Sequence, residues 1–246
     1  MPANVTGVEA LDALLTGSLP KGCSILVFGP PGSGIELFAK QFANASTTGN
    51  GTVYVATEES TQNIHATREQ MGWKSPMSVV NFGEEYYEKV LAKRLEVSKY
   101  REEGIRLEDV KEFTASLYES GRSINFLTKL IYETSKMESG FRLVVDSLNF
   151  FIEHYDPSSV LSGLRTIRAH AQHEGGAILV TYHGSLSQHT LQSGLEGLVD
   201  CIIELETNRA GNAFERYIVV HKVSNHPEKT GIMKYSIGAS GIQVSP

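Results

Sequence analysis

The chain has 246 residues, a net charge of −6 at neutral pH and two cysteines. This length is enough to bury a large core, and the acidic balance argues against a general nucleic-acid or membrane-binding surface. Cys23 and Cys201 have no metal-ligand spacing, and no run approaches the roughly 20 apolar residues of a membrane span, so we expect buried thiols in a cytoplasmic protein.

Apolar runs rich in β-branched residues recur along the chain and predict strands. Six of them are separated mostly by helical patterns, which is typical of a mainly parallel sheet flanked by helices. The last two runs have no helix between them and predict a C-terminal antiparallel hairpin. The sequence therefore predicts a single α/β domain spanning residues 1–246. The predicted strands are 24–28, 52–56, 78–82, 142–146, 177–182, 200–205, 214–223 and 232–244.

The segment from about 84 to 138 differs in composition from the rest of the chain. It holds close to half of the charged residues, with both signs interspersed. Tyr87, Leu91 and Leu95 recur at a spacing of four, which predicts a helix with a narrow apolar stripe on the domain surface. Two interpretations stay open for this charged helical insertion: a solvated excursion, or an element that docks another protein through the stripe.

The most informative motif follows the first predicted strand. Residues Gly29-Pro30-Pro31-Gly32-Ser33-Gly34 keep the G-x-x-x-x-G spacing and the strand, turn and helix context of a phosphate-binding loop. Such a loop surrounds phosphates with backbone N–H groups, while its Lys contacts the β- and γ-phosphates and its Ser or Thr holds Mg²⁺. In this chain Ile35 and Glu36 stand at those two positions.

These two residues change the electrostatics of the loop. Ile35 removes the cation, and a carboxylate about 4 Å from a phosphate costs on the order of 4 kcal/mol at an effective dielectric of about 20. Glu36 is also well placed in the first turn of a helix, where the dipole favours an anion. Both effects predict weak or absent binding of a nucleoside triphosphate.

Several further motifs occur in an order that spans nearly the whole chain. Together with the phosphate loop they resemble the KaiC-like branch of the RecA superfamily, and the resemblance implies a RecA-like P-loop NTPase fold. The matching segments are 5–12 and 17–22 before the first strand, Thr57-Glu58-Glu59-Ser60 after the second, Met71-Gly72-Trp73, the Walker B segment 143–147, segments 214–217 and 221–224 in the penultimate strand, and 237–242 in the last.

The resemblance also implies roles for particular residues. In active relatives an acidic pair supplies the general base, the Walker B Asp holds Mg²⁺, and a Lys-x-Arg of the neighbouring subunit reaches the phosphates. The matching residues in this chain are Glu58, Glu59, Asp146 and Lys222. If the chain is active, Glu58 and Glu59 are therefore the candidate catalytic residues, Asp146 is the candidate Mg²⁺ ligand, and Lys222 acts in trans.

Departures from the family pattern fall at three separate nucleotide-contacting places. One is the pair Ile35 and Glu36 in the phosphate loop. Ser224 replaces the Arg of the Lys-x-Arg, and Ala239 replaces an Asp that is common in the turn of the final strand. Losses at three places agree better with a site that is no longer constrained to bind nucleotide than with a chance substitution at one place.

Two interpretations stay open for the retained acids. In the structural one, Asp146 accepts hydrogen bonds from Ser33 or Ser147, and the pair Glu58-Glu59 caps the following helix. In the functional one, these acids still bind a magnesium nucleotide. Together with Glu36 they predict an electronegative pocket that is hostile to ATP and open to a metal ion or a cationic group.

Other chemistry is less favoured by the sequence. The histidines lack a second set of ligands that would complete a metal site. Two loops that bind single-stranded DNA in RecA-type recombinases, at 149–156 and 184–188, are here acidic or devoid of Lys and Arg, so we expect no nucleic-acid binding. The histidines considered are His154, His170, His173, His183 and His189.

Three functional hypotheses follow from the sequence. The first is a KaiC-like pseudo-ATPase with a regulatory or assembly role. The second is an ATPase that binds ATP with Mg²⁺ and hydrolyses it slowly, and the third is a recombination mediator that binds DNA. The expected partners are further copies of the chain or a related RecA-fold subunit, in a weaker or different oligomer than the family's ring, and another protein at the charged insertion.

Overall fold

A computed structural model of the protein describes residues 6–15, 20–45, 51–102, 125–184 and 189–244. The described ranges contain nine strands and nine α-helices. The strands are β1 (Ser24–Gly29), β2 (Thr52–Ala56), β3 (Ser78–Asn81), β4 (Arg142–Asp146), β5 (Ala177–His183), β6 (Cys201–Ala210), β7 (Ala213–Val223), β8 (Gly231–Gly238) and β9 (Gly241–Val244). The helices are α1 (Glu9–Leu15), α2 (Ile35–Asn44), α3 (Thr61–Gln70), α4 (Phe82–Tyr86), α5 (Ala92–Glu102), α6 (Phe126–Ser135), α7 (Asn149–His154), α8 (Pro157–Glu174) and α9 (His189–Leu198).

The nine strands form one sheet in the order β3-β2-β4-β5-β1-β6-β7-β8-β9. From β3 to β6 every pair is parallel, and from β6 to β9 every pair is antiparallel. The predicted α/β class with a mainly parallel sheet and antiparallel C-terminal strands is confirmed. Strand β1 lies in the middle of this sheet and is buried along its whole length. The phosphate loop follows the carboxyl end of β1 and is therefore flanked by neighbouring strands on both sides.

Two details of the sequence prediction are wrong. The run 232–244 is not one strand, because a turn at Ala239 and Ser240 divides it into β8 and β9, with Gly238 paired to Gly241. The antiparallel part is therefore a four-stranded unit, β6 to β9, rather than a single hairpin. Phe82, predicted at the end of a strand, instead begins α4, because the Asn81 side chain accepts a hydrogen bond from the Glu84 N–H and caps the helix.

Each face of the sheet carries its own hydrophobic core. One face is covered by α1 and α2, whose buried residues include Leu11, Phe38 and Phe42. The other face is covered by α6 to α9, with Phe151 and Leu164 among the buried residues. Burial on both faces accounts for the nearly continuous apolar runs of the parallel strands. Cys23 and Cys201 are buried free thiols, as predicted, and burial raises the pKa of each to about 12.

The side chain of Gln41 joins the first described segment to the last strand. Its amide nitrogen donates to the carbonyls of Gly7, at 2.5 Å, and Ile242, at 3.1 Å. Its amide oxygen accepts from the Ile242 N–H at 2.7 Å. One buried amide on α2 therefore satisfies backbone groups from two distant parts of the chain.

The charged insertion begins as a nearly continuous helical segment in which a π-helical turn, Tyr87–Leu91, joins α4 to α5. Phe82 and Val90 anchor it in the core, and Glu85 forms ion pairs with Lys89 and with Lys129 of α6. In the predicted stripe, Tyr87 and Leu95 are 51% and 54% exposed and Leu91 is half-buried. Residues 103–124 lie outside the described ranges, and docking of another protein at the stripe stays a prediction. Within the described ranges, no helix has both the length and the apolarity that a membrane crossing requires.

Candidate functional site

The loop after β1 has the backbone shape of a phosphate-binding turn. Gly32 and Gly34 adopt left-handed φ angles of 81° and 87°, which favour glycine. The Ser33 N–H and hydroxyl both donate to the Pro30 carbonyl, at 3.2 and 2.7 Å, and hold the turn closed. Helix α2 follows at once, with Gly34 as an N-cap that has no side-chain hydrogen bond. Its first N–H groups are therefore left for water or a ligand.

The two residues after this turn point in different directions. Ile35 is 1% exposed and packs in the core with Phe38 and Phe42. Glu36 is half-exposed, and its Oε1 lies 3.6 Å from Nδ1 of His183, at the end of β5. Position 35 thus serves the packing of α2, whereas position 36 presents a carboxylate.

Beside the loop, the carboxyl ends of β2, β4 and β5 and the first turns of α2 enclose an open cleft of about 470 Å³. Four carboxylates face it, together with one lysine and one histidine. We call this feature the acidic cleft. Its lining consists of Glu36, Leu37, Lys40, Glu58, Glu59, Thr67, Asp146, Ser147 and His183. The structure thus brings together four of the acids that the sequence marked as candidates.

Lys40 is the functional residue that sequence reasoning missed. Its ammonium lies in the acidic cleft, donates to Glu59 and lies 3.4 Å from the Glu36 carbonyl. The Lys40 side chain is only 3% exposed, whereas that of Glu59 is 26% exposed. The spacing gives a signal in retrospect, because Lys40 stands one turn after Glu36 and on the flank of the apolar stripe of α2.

Asp146 is buried at the end of β4, and both of its carboxylate oxygens accept hydrogen bonds. Its Oδ2 accepts from the Tyr54 hydroxyl, and its Oδ1 accepts from Thr181 at 2.6 Å and lies 3.7 Å from His183. Burial alone would raise the pKa of Asp146, but the contacts with His183, Thr181 and Tyr54 hold it below its usual value. The predicted donors, Ser33 and Ser147, are wrong, since Ser33 bonds within the loop and Ser147 bonds to Glu58.

His183 joins the two carboxylates nearest the loop. Contact with Asp146 raises the pKa of His183 against the effect of burial, and the charges of Glu36 and Glu58 act in the same direction. The protonated ring is therefore favoured between Asp146 and Glu36. Among the described residues, no group of three or more His, Cys, Asp or Glu side chains is arranged to hold a metal ion.

The acidic pair after β2 has partners other than the predicted one. Glu58 Oε1 accepts from the Ser147 hydroxyl at 2.9 Å, and Glu59 pairs with Lys40. Neither carboxylate caps α3, because the Ser60 hydroxyl accepts from Asn63 and Glu84 accepts from the Thr61 N–H. The pair thus belongs to the acidic cleft rather than to the helix.

Lys222 and Ser224 lie beside the start of β6 and the end of α9, at the opposite end of the parallel strands from the acidic cleft. The Lys222 ammonium donates to the carbonyls of Glu196 and Val199, the latter at 2.8 Å, and so caps the end of α9 within its own chain. The Ser224 N–H donates to the Asp200 carbonyl at 2.8 Å. Ala239 lies in the turn between β8 and β9.

The predicted DNA-binding loops are partly built into the fold. Phe150 and Phe151 of α7 are buried in the core, so these aromatic rings pack inside the molecule. The Asn149 amide donates to the His183 carbonyl at 2.9 Å and accepts from its N–H at 2.8 Å. Residues 185–188 of the second loop lie outside the described ranges.

A family model described as "ATPase: KaiC" matches residues 5–246. The chain belongs to the KaiC ATPase family. Similar proteins include a UPF0273 protein of Pyrococcus furiosus, 25% identical over 98% of this chain and 93% of the relative. The circadian clock protein KaiC2 of Synechocystis is 23% identical over 98% of this chain and 39% of its own length.

A solved structure extends the similarity to the fold. The crystal structure of a KaiC-like protein of the archaeon Pyrococcus horikoshii matches with a TM-score of 0.62 and 20% identity. The match covers 99% of this chain and 98% of that protein. This KaiC-family chain therefore has the RecA-like fold that the sequence predicted.

Proposed function

We propose that this KaiC-family protein is a pseudo-ATPase, which keeps the RecA-like fold for a regulatory or assembly role and binds Mg-ATP weakly or not at all. The observation that carries the proposal is the charge of the acidic cleft. Among the described residues, four carboxylates face the space beside the phosphate loop, and the lysine among them, Lys40, is already paired with Glu59. A triphosphate brings further negative charge to this site, where like charges repel.

The residues that would hold Mg-ATP are committed elsewhere. Ile35 is packed into the core, and Glu36 offers a carboxylate where a magnesium-binding hydroxyl is needed. The Asp146 oxygens accept from Tyr54 and Thr181, and Lys222 caps its own α9. This set of residues does not fit a magnesium triphosphate, and we derive no hydrolytic step from it.

Isothermal titration of the purified chain with Mg-ATP, up to millimolar concentration, tests the proposal. We expect no saturable heat below the millimolar range. Binding in the micromolar range would contradict it. A titration with Mg-free ATP at the same ionic strength is the control, because it separates metal-dependent binding from general screening of charge.

A gain-of-function pair sharpens the same test. Ile35→Lys with Glu36→Thr restores the cation and the hydroxyl, and we expect Mg-ATP affinity to rise at least about tenfold over the wild-type chain. Ile35→Met with Glu36→Thr is the control, because it changes the packing at position 35 without adding a charge. An equal rise in the control would show that the missing ammonium is not the cause.

A slowly hydrolysing ATPase is the second candidate, and the retention of Glu58, Glu59 and Asp146 in one cleft favours it. Its mark is ATP turnover by the wild-type chain that Glu58→Gln and Asp146→Asn each abolish. Turnover that survives both substitutions would come from a contaminant.

We also propose that the chain self-associates, or joins a related RecA-fold subunit, more weakly than an ATP-bridged ring does. The intrachain bonds of Lys222 support this, since a side chain that caps α9 is less free to reach a neighbouring nucleotide. A stable hexamer in sizing runs without nucleotide would contradict the proposal. Docking of a second protein at the exposed Tyr87 and Leu95 is tested by pull-down with Tyr87→Ser and Leu95→Ser.

A further inference from the structure

A row of three side chains crosses the antiparallel strands next to the phosphate loop. Arg216 on β7 pairs with Thr207 on β6 and with Tyr235 on β8. Directly paired residues of antiparallel strands lie on the same face, about 5 Å apart. This face is the one covered by α2, because the next pair along, Leu205 and Ile218, is fully buried in the α2 core. We call this feature the Arg216 row.

The Arg216 row touches the phosphate loop on the side away from the acidic cleft. The Tyr235 hydroxyl donates to the Ser33 carbonyl, and Ile237, two residues along β8, packs against Gly34. In the sheet order, β1 separates β7 and β8 from the strands that border the acidic cleft. Burial raises the pKa of Tyr235 to about 12, and the Arg216 charge acts against it, as expected for a guanidinium near the phenol.

Within the described ranges, Arg216 has no hydrogen-bond or ion-pair partner. Four arginines have a buried Nε without a partner. In three of them a terminal nitrogen bonds elsewhere: Arg68 to Ser75, Arg142 to Phe42 and Arg168 to Asp200. No such bond holds Arg216, and the hydroxyl of its neighbour Thr207 is likewise buried and unpaired. Buried donor atoms normally have partners, so the Arg216 Nε and the Thr207 hydroxyl are available to a group that the described residues do not supply.

The neighbouring carboxylate does not fill this role. Glu215 points to the opposite face of β7, where it accepts from Lys234 at 2.6 Å and from Tyr217 at 2.8 Å. Arg216 and Thr207 are both half-buried, so a small solute can reach them from the surface. The start of α2 lies next to this row through Ser33 and Gly34, but Glu36 in its first turn offsets the positive potential of the helix dipole, so the binding groups are Arg216 and Thr207.

We propose that Arg216 and Thr207 bind a phosphate-class oxyanion, carried by inorganic phosphate or by a phosphate ester, without Mg²⁺. A guanidinium offers parallel N–H donors that match two oxygens of a phosphate, and a hydroxyl donates to a third. The site is separate from the acidic cleft, so it goes beyond the proposed loss of Mg-ATP binding and does not depend on it. Phosphate is favoured over a carboxylate because it offers the third oxygen for Thr207.

NMR of the full wild-type chain tests the site directly. Potassium phosphate replaces potassium chloride at constant ionic strength without Mg²⁺, and the Nε–Hε signal of Arg216 is followed. We expect a saturable shift of that signal. AMP should reproduce the shift and adenosine should not, which separates a phosphate ester from binding through the base. The absence of a saturable shift with phosphate would overturn the proposal.

Matched variants give a second readout by titration calorimetry. We expect Arg216→Gln to weaken phosphate binding at least about tenfold and Thr207→Val to weaken it severalfold. Arg209→Gln is the control, since Arg209 is an exposed arginine on the same hairpin whose Nε donates to the Gly211 carbonyl, at 3.3 Å. Equal loss in Arg209→Gln, or no loss in Arg216→Gln, would overturn the assignment. If Arg216→Gln does not fold, Arg216→Lys keeps the charge without the parallel donors and should bind phosphate several times more weakly.

Two further outcomes keep this proposal distinct from others. A shift of the Arg216 signal that follows protein concentration rather than phosphate would assign its partner to a carboxylate of a second copy, and would overturn the phosphate site. Mg-dependent ATP binding that is lost in Asp146→Asn but kept in Arg216→Gln would sink the pseudo-ATPase proposal alone. Absence of phosphate binding in a chain that also ignores Mg-ATP would sink only the phosphate site.

Discussion

The two sides of the phosphate loop differ in how their charges are matched. On the side of β2, β4 and β5, the acidic cleft places four carboxylates around Lys40 and His183, and most of these groups have partners within the chain. On the side of β6 to β8, the Arg216 row holds a cation with no partner among the described residues. The same glycine turn thus separates a surplus of negative charge from an unmatched positive one.

This difference shows that the scaffold and the ligand chemistry of the loop can change independently. The turn keeps its left-handed glycines and the start of α2, which are backbone features. The charges around it come from side chains on α2, β4, β5 and β7 and on the loop after β2.

The largest effect is expected at the Lys40–Glu59 pair, and it should be asymmetric. Glu59→Gln leaves the ammonium of Lys40 buried without its carboxylate and should cost about 3 kcal/mol. Lys40→Met should cost only about 1 kcal/mol, because Glu59 is 26% exposed and can be hydrated. Urea unfolding of both variants measures the difference. Equal costs would mean that Lys40 is more accessible to water than the 3% exposure of its side chain indicates.

Asp146 should behave as a structural residue. Asp146→Asn should cost about 2 kcal/mol, because Tyr54 and Thr181 both donate to the carboxylate in a buried site. Glu58→Gln, at an exposed position, should change stability by less than about 0.5 kcal/mol and serves as the control. Neither substitution should alter the heat of mixing with Mg-ATP. Mg-ATP binding by the wild-type chain that is lost in Asp146→Asn would instead indicate that the acidic cleft is a working ATPase site.

Arg168, which has an ion-pair partner, is the control for Arg216, which has none among the described residues. Arg168→Gln should cost about 1.5 kcal/mol, because Arg168 donates to Asp200 at 2.9 Å. Arg216→Gln should be within about 0.5 kcal/mol of the wild type in phosphate-free buffer, since no described partner is lost. Denaturant midpoints with equal slopes provide the comparison. A cost for Arg216→Gln as large as that for Arg168→Gln would reveal an internal partner for Arg216.

The smallest effect on stability is expected at Glu36. Glu36→Gln removes an acid from the first turn of α2 and should cost about 0.5 kcal/mol through the helix dipole. It should also make the acidic cleft less hostile to anions. Thermal unfolding at low and at high salt measures the effect, which should fade as salt screens the charge. A cost that is the same at both salt concentrations would show that packing rather than charge is involved.

The sequence was sufficient for the sheet because its central parallel strands are buried on both faces. Runs such as 24–28 contain little besides apolar residues, and the order of the motifs matched a known family. The division of 232–244 into β8 and β9 was missed when the run was assigned to one strand, although Gly238, Ser240 and Gly241 are turn-forming residues between its two apolar stretches. The acids of the cleft were found through their motifs.

The partners of these acids could not be predicted from the sequence. Lys40 and His183 are separated from Glu59 and Asp146 by long stretches of chain and meet them only because neighbouring parallel strands end at one edge. The Arg216 row is hidden for a different reason, because the register of the antiparallel strands β6 to β8 brings Thr207, Arg216 and Tyr235 side by side. An unpaired side chain is a statement about everything around it, and a motif describes only its own neighbours in sequence.

The bonds of Gln41 to Gly7 and Ile242 have a consequence for the mechanics of the chain. A single amide bonds the segment at Gly7 and strand β9 to α2, the helix that starts at the phosphate loop. A displacement of Gly7 or of β9 would therefore act on α2 through this amide. Binding of another molecule at Gly7 or at β9 could in this way shift the start of α2, next to the phosphate loop.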